Sequence, residues 1–123
     1  MQSDNSKFKM EFNRRLICFS LAAINLCREI QKDRSLWAVA DQLIRSSTSI
    51  GANVIEAKSS SSKLEYIKYF QIALKSANET KYWLILLQES SPAFKDKAAE
   101  LLKEADEIAK IIGAGVLTMK GKR

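Results

Sequence analysis

The sequence contains no histidine, one proline, four glycines and two cysteines among its 123 residues. Without histidine, and with only two thiols, the chain lacks the usual ligands of a structural zinc site, so we expect no metal and no cofactor. Acid and base chemistry would fall to carboxylates or lysines. The phosphate-binding loop, the nucleophile elbow and the zinc-binding signatures are also missing, and we therefore predict no catalytic residues and no enzymatic turnover.

Long apolar runs are missing as well. Stretches such as residues 83–87 are far shorter than the ~18 residues that a membrane span requires. The basic N-terminal segment leads into apolar residues that Arg28 and Glu29 close, with no small-residue cleavage site of a secretory signal. We therefore expect a cytoplasmic protein that does not contact a membrane.

The two cysteines, Cys18 and Cys27, lie nine residues apart on one predicted helix. At about 100° per residue they project from nearly opposite faces, so they cannot bridge each other. We interpret both as ordinary packing thiols.

Scarce proline and glycine predict long helices and few loops. Apolar or small residues recur at alternating steps of three and four in four successive segments, as on the buried face of amphipathic helices. The four predicted core stripes are Phe12, Leu16, Phe19, Ala23, Leu26 and Ile30; Ala40, Leu43, Ser47, Ile50, Val54 and Ala57; Tyr66, Phe70, Ala73, Ala77, Thr80, Leu84 and Leu87; and Phe94, Ala98, Leu101, Ala105, Ile108 and Ile112.

Local signals predict where the helices begin. The first helix should run from about residue 6 to residue 31, and Ser35 is the predicted cap of a second helix that ends near residue 58. Ser62 and Glu65 have the spacing of a capping box for the third helix. Ser91 as cap, with Pro92 at the first helical position, should start the fourth.

These segments predict an all-α single domain over residues 1–123, with residues 1–5 and 120–123 frayed. The short connections make sequence neighbours antiparallel. Steps that average 3.5 residues match the shallow left-handed crossing of helical bundles. We therefore predict an antiparallel up-down-up-down four-helix bundle.

The second predicted helix carries a polar, nearly uncharged stripe beside its apolar one. The stripe consists of Gln42, Ser46, Ser49, Asn53 and Glu56. Solvated helix faces usually carry lysine and glutamate, whereas small hydrogen-bonding residues allow close backbone approach and need partners once they are buried. Three interpretations follow: a subunit interface, which is our hypothesis, a close helix crossing within the bundle, or a poorly optimised surface.

The segments that contain these residues resemble a known family. Residues 42–46, 49–57, 65–66 and 72–84 together are similar to the bacterial four-helix-bundle proteins, also called the 23S ribosomal RNA intervening-sequence proteins, with the strongest match over residues 36–88. The resemblance implies a bundle that assembles into a ring-shaped homopentamer. It also implies kinship with the accessory protein of diversity-generating retroelements, a basic pentamer that works with a reverse transcriptase and nucleic acid.

The family has no assigned catalytic residues, so the resemblance transfers only an oligomer or helix-contact motif. Its residues here are Gln42, Arg45, Ser46, Ser49, Asn53, Glu56 and Glu79.

The charge balance also suggests a partner. Twenty basic and fourteen acidic residues give a net charge of +6, which favours polyanions although solubility alone would also explain it. Positive charge is in excess on the first and last helices and in the C-terminal tail, where the nucleic-acid candidates are Arg14, Arg15, Lys120, Lys122 and Arg123. Five copies, each with +6, would combine into a strong positive field.

We therefore predict a non-enzymatic oligomer that binds RNA or DNA through phosphates with weak sequence selectivity. Base-stacking aromatics are not evident, since Tyr66, Phe70 and Trp83 fall at core or near-core spacing. The alternative is an oligomeric scaffold that binds another protein and does not touch nucleic acid.

Overall fold

Four long helices account for most of the protein in a computed structural model that describes residues 4–121, with side chains from residue 6 onwards. They are α1 (Asp4–Ile30), α2 (Trp37–Glu56), α3 (Lys63–Ser90) and α4 (Lys95–Met119). Short 3₁₀ turns, Arg34–Leu36, Ala57–Ser59 and Pro92–Phe94, occupy the three connections. Residues 4–121 contain no strand, so the all-α prediction is confirmed.

Ser62 caps α3 as predicted. Its hydroxyl accepts a hydrogen bond from the Glu65 amide at 3.1 Å, which the first helical turn leaves without an intrahelical acceptor. The predicted capping box differs in its second bond, because the Glu65 carboxylate accepts from the amide of Ser61, one residue before the cap.

Helices α2 and α4 begin later than predicted, because a 3₁₀ turn precedes each of them. Asp33, rather than Ser35, caps the first turn, since its carboxylate accepts hydrogen bonds from the Ser35 amide and hydroxyl. Pro92 does occupy a first-turn position, but of the 3₁₀ turn, and α4 itself begins at Lys95. A short aspartate side chain can reach an amide two residues ahead, and this local bond competes with a cap by Ser35.

Contacts between consecutive helices show that each pair is antiparallel. Near one end of the α1–α2 pair, Cys27 contacts Ala40. Towards the other end Gly51 lies against Leu16, since a Cβ atom added to Gly51 would be 3.4 Å from the Cβ of Leu16. Ser46 pairs with Thr80 across α2 and α3. Across α3 and α4, Lys81 pairs with Asp106, and Leu74 packs beside Gly113. The order is therefore up, down, up, down, and α1 and α4 close the bundle through a smaller contact.

The core follows the predicted stripes closely. Every predicted core residue of α1 and α2 is buried, and so are those of α3 and α4 apart from Tyr66, Phe70 and Phe94. Tyr66 and Phe70 are half-buried and stack with ring centroids 5.0 Å apart. No helix among the described residues has an apolar stretch long enough to cross a bilayer.

Candidate functional site

A fully buried polar cluster joins α2 to α3. The side chains of Ser46, Ser47 and Thr80 are completely inaccessible to solvent. The Thr80 hydroxyl lies 3.0 Å from the Ser46 hydroxyl and 2.8 Å from the carbonyl of Ser76. Among the described residues, no buried side-chain nitrogen or oxygen lacks a hydrogen-bond partner. The small hydroxyl residues therefore let the helices approach closely at no cost in unpaired polar groups.

The polar stripe continues from this cluster towards the surface. The Ser49 and Ser76 hydroxyls lie 2.9 Å apart, and Asn53 donates to the hydroxyl and carbonyl of Ser49. Arg45 donates to Gln42 and forms an ion pair with Glu79 of α3. Four residues of the transferred contact motif thus contact the other helix directly: Arg45, Ser46, Ser49 and Glu79. Gln42 and Asn53 hydrogen-bond to Arg45 and Ser49, and Glu56 is exposed.

Glu79 is also the acceptor for an aromatic side chain. The indole nitrogen of Trp83 donates to the Glu79 carboxylate at 3.0 Å, on the same face where Arg45 pairs with it. Glu65 is likewise engaged in capping α3. Glu65 and Glu79 are therefore engaged in structural hydrogen bonds, whereas Glu56 is exposed.

An ion-pair clamp connects α1 to α4. Arg15 donates from Nε to one Glu104 oxygen at 2.6 Å and from Nη2 to the other at 2.7 Å, and its Nη2 also reaches Glu107 at 2.8 Å. The hydrogen bond from Arg15 lowers the pKa of the Glu104 carboxyl. The same bond raises the pKa of the Arg15 guanidinium. Arg15, a nucleic-acid candidate in the sequence, thus has its guanidinium directed to α4.

A shallow groove of about 530 Å³ lies beside this clamp, between α1 and α4. Phe19, Leu26 and Leu101 are among its apolar residues, and Cys18, Glu29 and Glu100 are among its polar ones. Residues 6–121 contain no group of three or more potential metal ligands. Cys18 shares the groove with the carboxylates of Glu29 and Glu100, but no hydrogen bond among the described residues joins its thiol to any of them, so nothing in this arrangement points to catalysis.

The two cysteines differ in their surroundings. Cys18 is exposed, whereas Cys27 is 1% exposed and donates through Sγ to the carbonyl of Ala40 at 3.6 Å. Burial, with a smaller effect of Asp41, raises the pKa of the Cys27 thiol to about 11. Cys27 is a packing thiol, as predicted, but the same prediction was wrong for Cys18, because its position on the outer face of α1 leaves it exposed.

Positive charge collects at one end of the bundle, which we call the basic end. The antiparallel topology brings together the starts of α1 and α3 and the C-terminal ends of α2 and α4. The contributing described segments, 6–14, 53–72 and 110–121, carry eight basic and three acidic residues. The segments of the opposite end, 24–41 and 88–100, carry five basic and six acidic residues. The net positive charge of the chain is thus concentrated at the basic end.

The basic side chains at this end are largely unneutralised. Seven of them are exposed and form no ion pair with a described residue, while Lys110 pairs with Asp106. The seven are Lys7, Lys9, Arg14, Lys58, Lys63, Lys68 and Lys120.

Two of the predicted nucleic-acid candidates, Arg14 and Lys120, therefore belong to the basic end, whereas Lys122 and Arg123 lie outside the described residues. Sequence analysis missed Lys7, Lys9, Lys58, Lys63 and Lys68. Lys58, Lys63 and Lys68 were overlooked because the turn between α2 and α3 is near neutral as a segment, whereas Lys7 and Lys9 were counted in the charge of the first helix but not selected as candidates. Folding the predicted helices back on each other before counting would have found them.

The fold and the site together define a small all-α bundle protein whose polar residues hold helices together and whose charge lies at one end. A model of the 23S rRNA-intervening sequence protein family matches residues 9–114. The chain belongs to this family.

A solved structure supports the assignment. A protein of unknown function from the S23 ribosomal protein family of Bacteroides thetaiotaomicron superposes with a TM-score of 0.80 at 30% sequence identity. The match covers 85% of this chain and 97% of that protein. Among curated proteins, none matches the sequence.

Proposed function

We propose that this chain is a non-enzymatic, oligomeric accessory protein that binds RNA or DNA through the basic end of its bundle. The observation that carries the proposal is the charge separation along the bundle axis, with eight basic and three acidic residues in the described segments of one end and five and six at the other. Membership of the intervening-sequence family is consistent with a function connected to nucleic acid.

The availability of these cations favours a phosphate ligand over a purely structural role. Arg15, Arg45 and Lys81 are neutralised by carboxylates. Lys7, Lys9 and Lys58 are exposed and form no ion pair with a described residue. Each phosphate contact releases a condensed counterion, so binding through these side chains should weaken steeply with salt.

Self-association would strengthen the interaction. In a closed ring, rotational symmetry orients every copy in the same way relative to the axis. Five basic ends would then act on one polyanion, and weak contacts would add up to useful affinity. We propose a homopentamer, and a basic ring of this kind would suit a partner such as a reverse transcriptase that handles nucleic acid.

Exposed apolar side chains support an oligomer. Ile17 and Leu21, one turn apart on α1, are 50% and 55% exposed, and Ile55 on the neighbouring α2 is 41% exposed. Neighbouring exposed apolar side chains such as Ile17 and Leu21 are the kind of surface that protein contacts cover. Sedimentation should give a mass of about five times the chain mass of 13.9 kDa. Replacing Ile17 and Leu21 by lysine should reduce the measured mass. A wild-type monomer at micromolar concentration would contradict the pentamer.

A matched pair of charge variants tests nucleic-acid binding. The basic-end variant replaces Lys7, Lys9, Lys58, Lys63 and Lys120 by glutamine. The control makes the same change in net charge at the opposite end, at Arg28, Lys32, Arg34, Lys95 and Lys97. Retention of a structured RNA should fall more than tenfold in the basic-end variant, and its dependence on salt should flatten. The control should bind within a few-fold of the wild type.

The same experiment tests the alternative function. If the chain is a protein-binding scaffold without nucleic-acid contact, wild type and both variants will show the same weak retention at 50 mM salt. Equal losses in the two variants would mean that overall charge, rather than the basic end, attracts RNA. Light scattering on each variant shows whether the oligomer is intact.

A further inference from the structure

Phe8 is an exposed aromatic residue in the middle of the basic end. It lies on the second turn of α1, between Lys7 and Lys9, and its side chain is 55% exposed. Both flanking lysines are exposed and form no ion pair with a described residue.

The ring of Phe8 is held in one orientation. Phe12, one turn further along α1, is 7% exposed and belongs to the core. The centroids of the two rings are 6.2 Å apart and their planes differ by 11°. This offset parallel stack anchors Phe8 on the bundle and leaves more than half of its surface in contact with water.

A positively charged surface that presents an aromatic ring fits the chemistry of single-stranded nucleic acid. Bases of any identity can stack on the ring, while lysines beside it attract the phosphates. A duplex keeps its bases stacked on each other and offers only phosphates to the same surface. The aromatic ring is therefore the feature that would distinguish the two forms of nucleic acid.

We infer that Phe8 is a stacking platform for an unpaired base, and that Lys7 and Lys9 bind the phosphates of the same strand. The inference rests on the proposed function and assigns it to single-stranded nucleic acid. Phe8 lies four residues before Phe12, on the same face of α1, but beyond the buried part of the apolar stripe, since it is 55% exposed.

The chain supplies a control for aromatic exposure alone. Tyr82 of α3 is also 55% exposed, and it packs edge-to-face against Trp83. It lies in the middle of the bundle, away from the basic end. Replacing Phe8 or Tyr82 by leucine removes the π face of a surface ring and keeps an apolar side chain in both positions.

The experiment measures fluorescence anisotropy of three labelled probes: a 12-nucleotide oligoadenylate, an abasic strand of equal length and charge, and a duplex of equal length. Wild type should bind oligoadenylate about tenfold more tightly than the abasic strand, a difference typical of base–aromatic stacking. Phe8→Leu should reduce this preference to about twofold or less, whereas Tyr82→Leu should keep it. Binding of the duplex should be unchanged in both variants.

A second variant supplies a direct optical readout. Phe8→Trp keeps a π face, so it should retain the preference, and its additional indole emission should be quenched by oligoadenylate but not by the abasic strand. Circular dichroism melting of each variant confirms that the bundle is intact.

The outcomes separate this inference from the proposed function. If wild type binds oligoadenylate and the abasic strand equally, or if Phe8→Leu keeps the preference, the stacking role is wrong while phosphate binding by the basic end stands. If none of the three probes binds at 50 mM salt, both are wrong.

Discussion

The Thr80 hydroxyl of α3 lies 3.0 Å from the Ser46 hydroxyl of α2, and both side chains are completely buried. A polar contact in the centre of a bundle replaces the apolar packing that the two helices could otherwise have made. It fixes how α2 and α3 are aligned, because shifting either helix would leave buried hydroxyls without partners.

Replacing one residue of the Ser46–Thr80 pair should lower the free energy of unfolding more than replacing both. We expect Thr80→Val to lower the free energy of unfolding by about 1–2 kcal/mol, because a valine methyl faces the buried Ser46 hydroxyl. Ser46→Ala in the same chain should recover part of that loss, and a double-mutant cycle in urea measures the coupling. Thr118→Val is the control, since the Thr118 hydroxyl bonds the Ala114 carbonyl on the exposed surface. Additive losses would show that the contact does not contribute to stability.

The clamp between Arg15 and Glu104 should make stability depend on acidic pH. The pKa of Glu104 is lowered on folding, so the carboxylate stabilises the fold above its unfolded pKa of about 4.3, and this contribution is lost as the pH falls through the folded pKa. Arg15→Gln should lower stability by about 1 kcal/mol at pH 7. The difference from wild type should disappear near pH 3 in chemical denaturation. Lys97→Gln, which removes an exposed charge on α4, should show no such pH dependence.

The two thiols should differ in reactivity. Iodoacetamide at pH 8 should modify the exposed Cys18 and leave Cys27 untouched, because burial keeps the pKa of Cys27 at about 11 and the reactive thiolate is scarce. Peptide mapping by mass spectrometry measures both sites, with the urea-unfolded chain as the reference in which both react. Rapid labelling of Cys27 in the folded protein would contradict its burial.

Cys27 should also affect stability at alkaline pH. Its pKa rises from 9.0 to about 11 on folding, so the protonated thiol contributes fully below pH 9 and this contribution declines as the pH rises through 11. Between pH 9 and pH 11 the free energy of unfolding of the wild type should fall by about 2 kcal/mol relative to that of Cys27→Ala. Unfolding in urea at a series of pH values measures the difference, and parallel curves for the two proteins would refute the prediction.

Two glycines near the end of α4 should respond in opposite ways to alanine. A Cβ atom on Gly115 would meet no atom within 4 Å, so Gly115→Ala should raise stability by about 0.5–1 kcal/mol through helix propensity. Gly121 has a φ of +72°, just after the last turn of α4, where alanine is strained, so Gly121→Ala should lower stability by about 1 kcal/mol. Thermal unfolding measures both, and a destabilised Gly115→Ala would indicate a contact at this position in the assembled protein.

Helix number, order and core faces were predictable from the sequence because they depend on local periodicity. Buried side chains must recur at the helical repeat, so Leu16, Leu43 and Ile108 could be assigned to the core without knowing their neighbours. The start of α2 was harder, since Asp33 and Ser35 both have capping chemistry and the choice depends on the backbone that joins α1 to α2.

The sequence determined a four-helix bundle with alternating helix directions, because four amphipathic segments with short connections have few other ways to bury their apolar faces. Only the tertiary structure decided what the polar and charged residues do. It paired Ser46 with Thr80 and Arg15 with Glu104, and it gathered Lys7 and Lys58 at one end. These relationships join residues tens of positions apart, and they depend on the alignment of packed helices, which local periodicity does not specify.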